Sequence, residues 1–264
     1  MAEHSGSCLS SSTKPDRGTR PADMDPLRRL ALIGIGATGA DIEKFVREAR
    51  QIARRSKRGL TYNDVAAAIG RTKPPVSQQT LWRRAVHEAG HIIVRAALDI
   101  GQATSVTING PNGASYVEST YDLSELQNET GLAGVIAVTL AGRAAEMLFI
   151  GDVSAGSGGA RHSDLARATR MALDMETKFG FSKEYTLVYR GRGNSRRLRE
   201  DRGQLLSAVN DRLCAGYNLA TETLQSHRRE TLEVARALVA STSISGNELS
   251  KLLSSLGLGS KKSP

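Results

Sequence analysis

One stretch of the 264 residues has the types and spacing to do chemistry: Trp82-Arg83-Arg84-Ala85-Val86-His87-Glu88-Ala89-Gly90-His91. It carries His-Glu-x-x-His inside a strongly helical pattern. Positions i and i+4 of an α-helix lie one turn apart on the same face. His87 and His91 can therefore present two imidazoles to one Zn²⁺ at about 2.0–2.1 Å each. Glu88 sits beside that face, off the metal axis, where it can reach a zinc-bound water without being a ligand. That division of labour is the one a zinc metalloprotease uses. The plain alternative is a solvated helix with two surface histidines, and the three fixed letters alone arise by chance in roughly one chain in a hundred of this length. Ala85, Val86, Ala89, Ile92 and Ile93 surround the motif, however, so the helix is apolar, and burying both imidazoles without a partner would be costly.

A catalytic zinc keeps three protein ligands and one open position. The candidates for the third are Glu146, His162 and Asp164. Glu146 closes Ala141-Gly142-Arg143-Ala144-Ala145-Glu146, late in an apolar stretch. A carboxylate there would serve as a salt-bridge partner, as acceptor for a ligand histidine N–H, or as ligand. His162 and Asp164 open a helix after the Gly/Ser loop 151–159, and Asp164 could simply favour the helix dipole. Residue types and spacing leave the three open.

Other elements must hold these residues in place. Thr38-Gly39-Ala40-Asp41 opens a helix with Ile42, Phe45, Val46, Ala49 and Ile52 at helical spacing, ending at Lys57-Arg58-Gly59. Thr61 caps a second helix that ends at Gly70. Lys73-Pro74-Pro75 and Ser77-Gln78-Gln79 read as a linker. A long helix over 81–98 carries the motif. Short alternating segments at 105–109 and 114–119 flank Gly110-Pro111-Asn112-Gly113 as a hairpin. A buried helix is expected over 128–150. The next helix starts at His162 or Ser163, has Leu165, Ala168, Met171, Ala172, Met175 and Phe179 inward, and closes at Gly180. Helices near 203–227, 229–241 and 246–255 complete the chain.

Composition narrows the function classes. Aromatics at 4% leave a core of Leu, Ile, Val and Ala, which favours helices. Cys8 and Cys214 are the only cysteines, so neither a disulfide scaffold nor a zinc ribbon is expected. The longest apolar stretch, Gly131 to Gly142, falls short of the about 20 residues a spanning helix needs, and no spanning segment is expected. The N-terminus has no apolar h-region and reads as a disordered tail, with a cytoplasmic location as the default. The net charge of +9 invites nucleic acid, but most of the excess lies in residues 1–80. The dense run Arg190, Arg192, Arg196, Arg197, Arg199 and Arg202 lacks interleaved aromatics and reads as a solvated loop, with a DNA-binding helical protein as the rival.

Three segments together go further. HEAGHIIV, LAGRAAEMLF and GGARHSDLARATRMALDMETKFGFS are similar in order and spacing to the peptidase domain of FtsH-type zinc proteases. The family's third ligand is the Asp of an Asp-Leu-x-x-Ala-Thr segment, which corresponds to Asp164, followed by Leu165, Ala168 and Thr169. The resemblance therefore implies metal ligands His87, His91 and Asp164, the catalytic base Glu88, and Glu146 as acceptor for a ligand histidine; it gives His162 no role. It also implies a mainly α, zincin-like domain with a small β-hairpin, cofactor Zn²⁺, polypeptide substrates, and no nucleic acid partner. Residues 33–70 look like the last helices of an AAA+ lid. The implied organisation is a disordered tail 1–29, a lid-like segment 30–73, a peptidase domain 78–256 and a loose tail 257–264. No Gly-x-x-x-x-Gly-Lys-[Ser/Thr] occurs in the sequence, so ATP-driven unfolding would come from an AAA+ partner. The family assembles as hexamers, so a homo-oligomer is expected, membrane-associated only through a partner. The functional alternative is a catalytically weak adaptor or regulatory subunit of a full-length AAA+ protease. The strand at 105–109 is expected to offer its edge to an extended substrate.

Overall fold

The computed structural model of the chain describes residues 26–34, 37–71, 76–109, 115–120, 124, 126–190 and 202–258. The expected hairpin turn 110–113 and residues 191–201 of the arginine-rich run lie outside the described residues.

Three short helices come first: α1 Pro26–Gly34, α2 Gly39–Arg55 and α3 Tyr62–Gly70. Helix α1 begins inside the span expected to be a tail ending at residue 29. Pro26 is tolerated there because the first helical turn has no need of its N–H. The α2 start follows its sequence: Thr38 and Asp41 form a capping box, with the Thr38 N–H donating to Asp41 Oδ2 at 2.9 Å. Phe45, Ala49 and Ala53 form the buried stripe of α2, whereas Ile42, on the same periodicity, is exposed. Phe45 and Ala49 share a small core with Ala68 and Ile69 of α3.

Arg58 and Asp64 tie the α2–α3 turn together. The guanidinium forks onto the carboxylate at 2.6 and 2.7 Å, and the Thr61 N–H and hydroxyl donate to Oδ2 at 2.9 and 2.7 Å. These bonds, Arg58 first, hold the Asp64 carboxyl well below the usual carboxylate range. A depressed folded pKa adds stability above the unfolded value of about 3.9, and that stability is lost as pH falls through the folded value. Asp64→Asn should therefore lower the melting temperature at pH 7, and the gap from wild type should narrow as pH falls below about 4. Melts followed by circular dichroism across that range test it; a gap independent of pH would contradict the assignment.

The larger body follows: α4 Gln78–Ala97, β1 Gln102–Thr107, β2 Tyr116–Thr120, α5 Glu129–Ile150, α6 Asp164–Thr177, α7 Arg202–Ser226, α8 Arg228–Ser241, β3 Ser243–Ser245 and α9 Gly246–Ser255. The architecture is mainly helical with a small antiparallel sheet. Ser77 caps α4 by accepting from the Thr80 N–H at 3.1 Å. Ile92 and Ile93 of α4 are fully buried beside Ala137, Ala141 and Ala145 of α5. Each of the two isoleucines contributes about 1.5–3 kcal/mol through burial. A second cluster joins Ile136 and Leu140 of α5 to Ala168, Ala172 and Met175 of α6 and Val209 of α7. Leu165 and Phe179 were expected to face inward with that stripe but are 39% and 47% exposed.

Helix α5 is the one described helix long and apolar enough to cross a membrane by length and composition. It packs against α4, α6 and α7, with 61% of its most apolar window buried, as the core helix of a globular domain does.

The sheet corrects one expectation. Its order is β2-β1-β3, both pairings antiparallel. Strand β1 is central, so residues 105–107 already pair on both sides and have no edge to offer a substrate. Strand β3 is three residues, Ser-Ile-Ser, too short and polar to signal itself in the sequence. The outer strands are β2 and β3; β3 is fully buried, so among the described residues the open edge is that of β2.

Candidate metal centre

Helix α4 delivers His87 and His91 one turn apart, and α5 runs beneath them. Each imidazole is oriented by a group on α5. His91 Nδ1 donates to the Val138 carbonyl at 2.7 Å, and a carbonyl can only accept, so Nε2 is left bare. His87 Nδ1 donates to Glu146 Oε1 at 2.7 Å, which leaves Nε2 as the lone-pair nitrogen whenever the ring is neutral. The third group comes from the start of α6, where Ser163 caps the helix by accepting from the Ala166 N–H at 3.3 Å. That turn brings Asp164 Oδ2 to 3.2 Å from His87 Nε2 and 3.4 Å from His91 Nε2, while the two Nε2 atoms are 3.1 Å apart.

With both rings neutral in these tautomers, the form in which histidine binds a metal, three lone-pair atoms converge. Tetrahedral zinc with bonds of about 2.0–2.1 Å needs ligand atoms about 3.3–3.4 Å apart. The observed triangle would fit one face of that tetrahedron, and all three residues line the cleft. His87, His91 and Asp164 can therefore hold a metal ion, and they are the one such cluster of three among the described residues.

The ionisation of the site tells the same story with protons as the only cations. Burial would pull His87 down, but its bonds to Asp164 and Glu146 and the charge of Glu88 outweigh it, and its pKa is pushed up to about 10. Burial would raise Asp164, but hydrogen bonds from His87 and His91 hold it well below the usual carboxylate range. The cluster is built to attract positive charge.

Glu146 is 1% exposed, and its four bonds explain its role. Oε1 accepts from His87 Nδ1 and from the Ser154 hydroxyl at 3.1 Å; Oε2 accepts from Arg83 Nη1 at 2.9 Å and the Ser154 N–H at 2.7 Å. Burial pushes its pKa up, but these donors win and bring it to about 2. The carboxylate meets His87 at Nδ1, on the far side of the ring from the converging atoms. Gly151, at φ 91°, ends α5 in the left-handed conformation and turns the chain so that Ser154 reaches back. Arg83 also holds Asp152 at 2.6 Å. Nothing in the local sequence marks Arg83, Ser154 or Asp152: the Arg83 contacts cross from α4 to the end of α5 and the loop after it, and Ser154 reaches Glu146 only because that loop turns back. His162 lies exposed at the rim of the same cleft, outside the triangle.

Gly142 sets how closely the imidazoles approach α5. A Cβ there would lie 2.5 Å from His87 Cε1 and Nε2 and 2.6 Å from His91 Nε2. Alanine normally favours a helix interior over glycine by about 1 kcal/mol. Here Gly142→Ala should keep the helical content yet drop zinc content well below one ion per chain. Circular dichroism with metal analysis checks both, and a full zinc complement in the variant would show that the rings can retreat.

Glu88 is 3% exposed and makes no hydrogen bond to protein among the described residues. It lines the cleft beside both histidines. The cleft has a volume of 600 Å³ and is walled by α4, β2, the end of α5 and the loop before α6.

A helical domain with a His-His-Asp centre, a carboxylate beside it and a cleft in front has the parts of a zinc metalloprotease. The model of peptidase family M41 matches residues 76–252, which takes in α4 through most of α9, and the chain belongs to that family. It is 30% identical over 256 residues to the ATP-dependent zinc metalloprotease FtsH of Caldicellulosiruptor bescii, covering 88% of this chain and 40% of that protein. The FtsH of Rickettsia bellii is also 30% identical, over 86% of this chain and 39% of its own length. FtsH 2 of Sphaerobacter thermophilus is 28% identical, over 90% and 38%. The chain thus spans about two fifths of the length of these relatives.

Proposed function

We propose that this chain is a zinc-dependent metalloendopeptidase that hydrolyses peptide bonds in unfolded or damaged proteins. The observation that carries the reading is the triangle of ligand atoms on His87, His91 and Asp164, with edges of 3.1, 3.2 and 3.4 Å, next to the cleft-lining Glu88. Zinc held there would polarise the scissile carbonyl and acidify the attacking water. Glu88, with no protein partner for its carboxylate, takes the water's proton and hands it to the leaving amine. Glu146 and the Val138 carbonyl keep both imidazoles in the tautomer whose Nε2 faces the cleft.

The substrate strand would add to β2, whose outer edge has no strand partner among the described residues and whose Tyr116, Val117 and Ser119, with Ser115 just before it, line the cleft. Main-chain pairing is tolerant of sequence, as suits a protease of unfolded chains. The relatives are named as ATP-dependent, and no phosphate-binding loop occurs in these 264 residues. Unfolding power would come from an AAA+ partner in a hexameric assembly, docked through the lid-like α1–α3 unit. A cytoplasmic site of action, with membrane association through that partner, fits this reading.

The test is metal analysis paired with digestion of β-casein. About one zinc per chain, and cleavage that stops with chelator and returns with zinc, support the peptidase. A zinc-loaded chain that cuts no casein points instead to an adaptor that docks onto a full-length protease.

A further inference from the structure

The cleft carries a second pair of polar groups that water activation does not use. Arg84 stands on α4 one turn ahead of Glu88 and lines the same cleft. Its guanidinium is half-buried, and Nη1 donates to the Ile108 carbonyl at 3.3 Å. No carboxylate pairs with it among the described residues, and burial alone bears on its ionisation, pulling its pKa down. Arg83 and Arg212, by contrast, are each matched with two acids: Arg83 with Glu146 and Asp152, Arg212 with Glu129 and Glu176. Tyr116 of β2 also lines the cleft, and its hydroxyl is buried with no hydrogen-bond partner among the described residues. An unpaired buried hydroxyl and an unmatched guanidinium are each unfavourable unless something else satisfies them. Facing groups that accept hydrogen bonds and carry negative charge would satisfy both at once.

We infer that Arg84 and Tyr116 form a subsite for a carboxylate of the bound polypeptide, so that the cleft favours acidic sequence beside the scissile bond. The inference rests on the peptidase reading above and deepens it. A bidentate Arg–carboxylate contact fixes both register and orientation of the strand. Such a carboxylate has two sources, an Asp or Glu side chain or the chain terminus of the substrate.

The experiment uses the full zinc-loaded chain and matched fluorogenic peptides with Glu or Gln at each position around the scissile bond. Each peptide is made with a free and an amidated C-terminus. Cleavage is read as kcat/KM, and binding is read separately by anisotropy with the zinc-loaded Glu88→Gln protein. The wild-type cleft should favour Glu over Gln at one position by about tenfold or more, in binding as in kcat/KM. Arg84→Gln should bring that ratio close to one, Arg84→Lys should keep part of it, and Tyr116→Phe should reduce it less. A preference that survives amidation assigns the side chain, and one lost on amidation assigns the terminus; both support the subsite. Equal affinity for every Glu and Gln pair, or a ratio unchanged in both Arg84→Gln and Tyr116→Phe, overturns it. Cleavage without discrimination removes the subsite and leaves the peptidase standing; discrimination in binding without cleavage does the reverse. No binding of any peptide removes both.

Discussion

Glu88→Gln should cut casein hydrolysis by a factor of about 10² to 10⁴, the range for losing a positioned general base, while zinc content and melting temperature stay at wild-type values. The argument is local. Glutamine has the volume of glutamate, so the packing around α4 is kept. Glu88 makes no hydrogen bond to protein among the described residues, so no structural bond there is lost with its charge. What disappears is the one carboxylate lining the cleft, among the described residues, that is not already engaged: Asp164 is turned to both Nε2 atoms and Glu146 is filled by four donors. Zinc measured by mass spectrometry alongside initial rates separates the two effects. Turnover within a few-fold of wild type would take the proton-transfer role from Glu88, whereas a variant that had lost its zinc would mean that Glu88 helps hold the ion.

The part of this centre legible in the sequence is the part made by one helix. His87 and His91 are four residues apart, and helix geometry alone puts them together. The third partner had to come from another element, and three residues qualified by type. Their separation is a matter of direction, which only packing decides. Glu146 meets His87 at Nδ1, while Asp164 meets both rings at Nε2. The helix starts at Thr38, Asn128 and Ser163 were equally readable, since each cap bonds within three residues, whereas Ser77, read as part of a linker, caps α4 at a start three residues ahead of the expected one. Strand β3 was not, because a three-residue Ser-Ile-Ser segment becomes a strand only where β1 is there to pair with it. That omission misplaced the free edge of the sheet. Helical spacing likewise named Ile42, Leu165 and Phe179 as inward residues, yet each is exposed, because the stripe that neighbouring helices cover is narrower than the periodicity permits.

Asp164→Ala tests the long-range half of the centre. Removing acceptors that merely orient a ligand costs about 10–100-fold in metal affinity, so deleting a direct anionic ligand should cost more than about a hundredfold. By linkage, at fixed zinc in excess of the affinity, a hundredfold weakening removes about 2.7 kcal/mol of metal-dependent stability. Wild-type protein should therefore melt at a markedly lower temperature with chelator than with zinc, and the variant should show little difference between the two. Loss of a favourable helix-dipole contact at the start of α6 gives a competing explanation, worth about 0.3–1 kcal/mol. That effect would lower the melting temperature equally with and without zinc. Asp164→Asn sharpens the distinction, because it keeps an oxygen at the site but removes the charge, and should bind zinc between wild type and Ala. Competition titration with a chromophoric chelator gives the affinities. Wild-type affinity in Asp164→Ala would move the third ligand elsewhere and return Glu146 to contention, in which case Glu146→Gln, not Asp164→Ala, would release the metal.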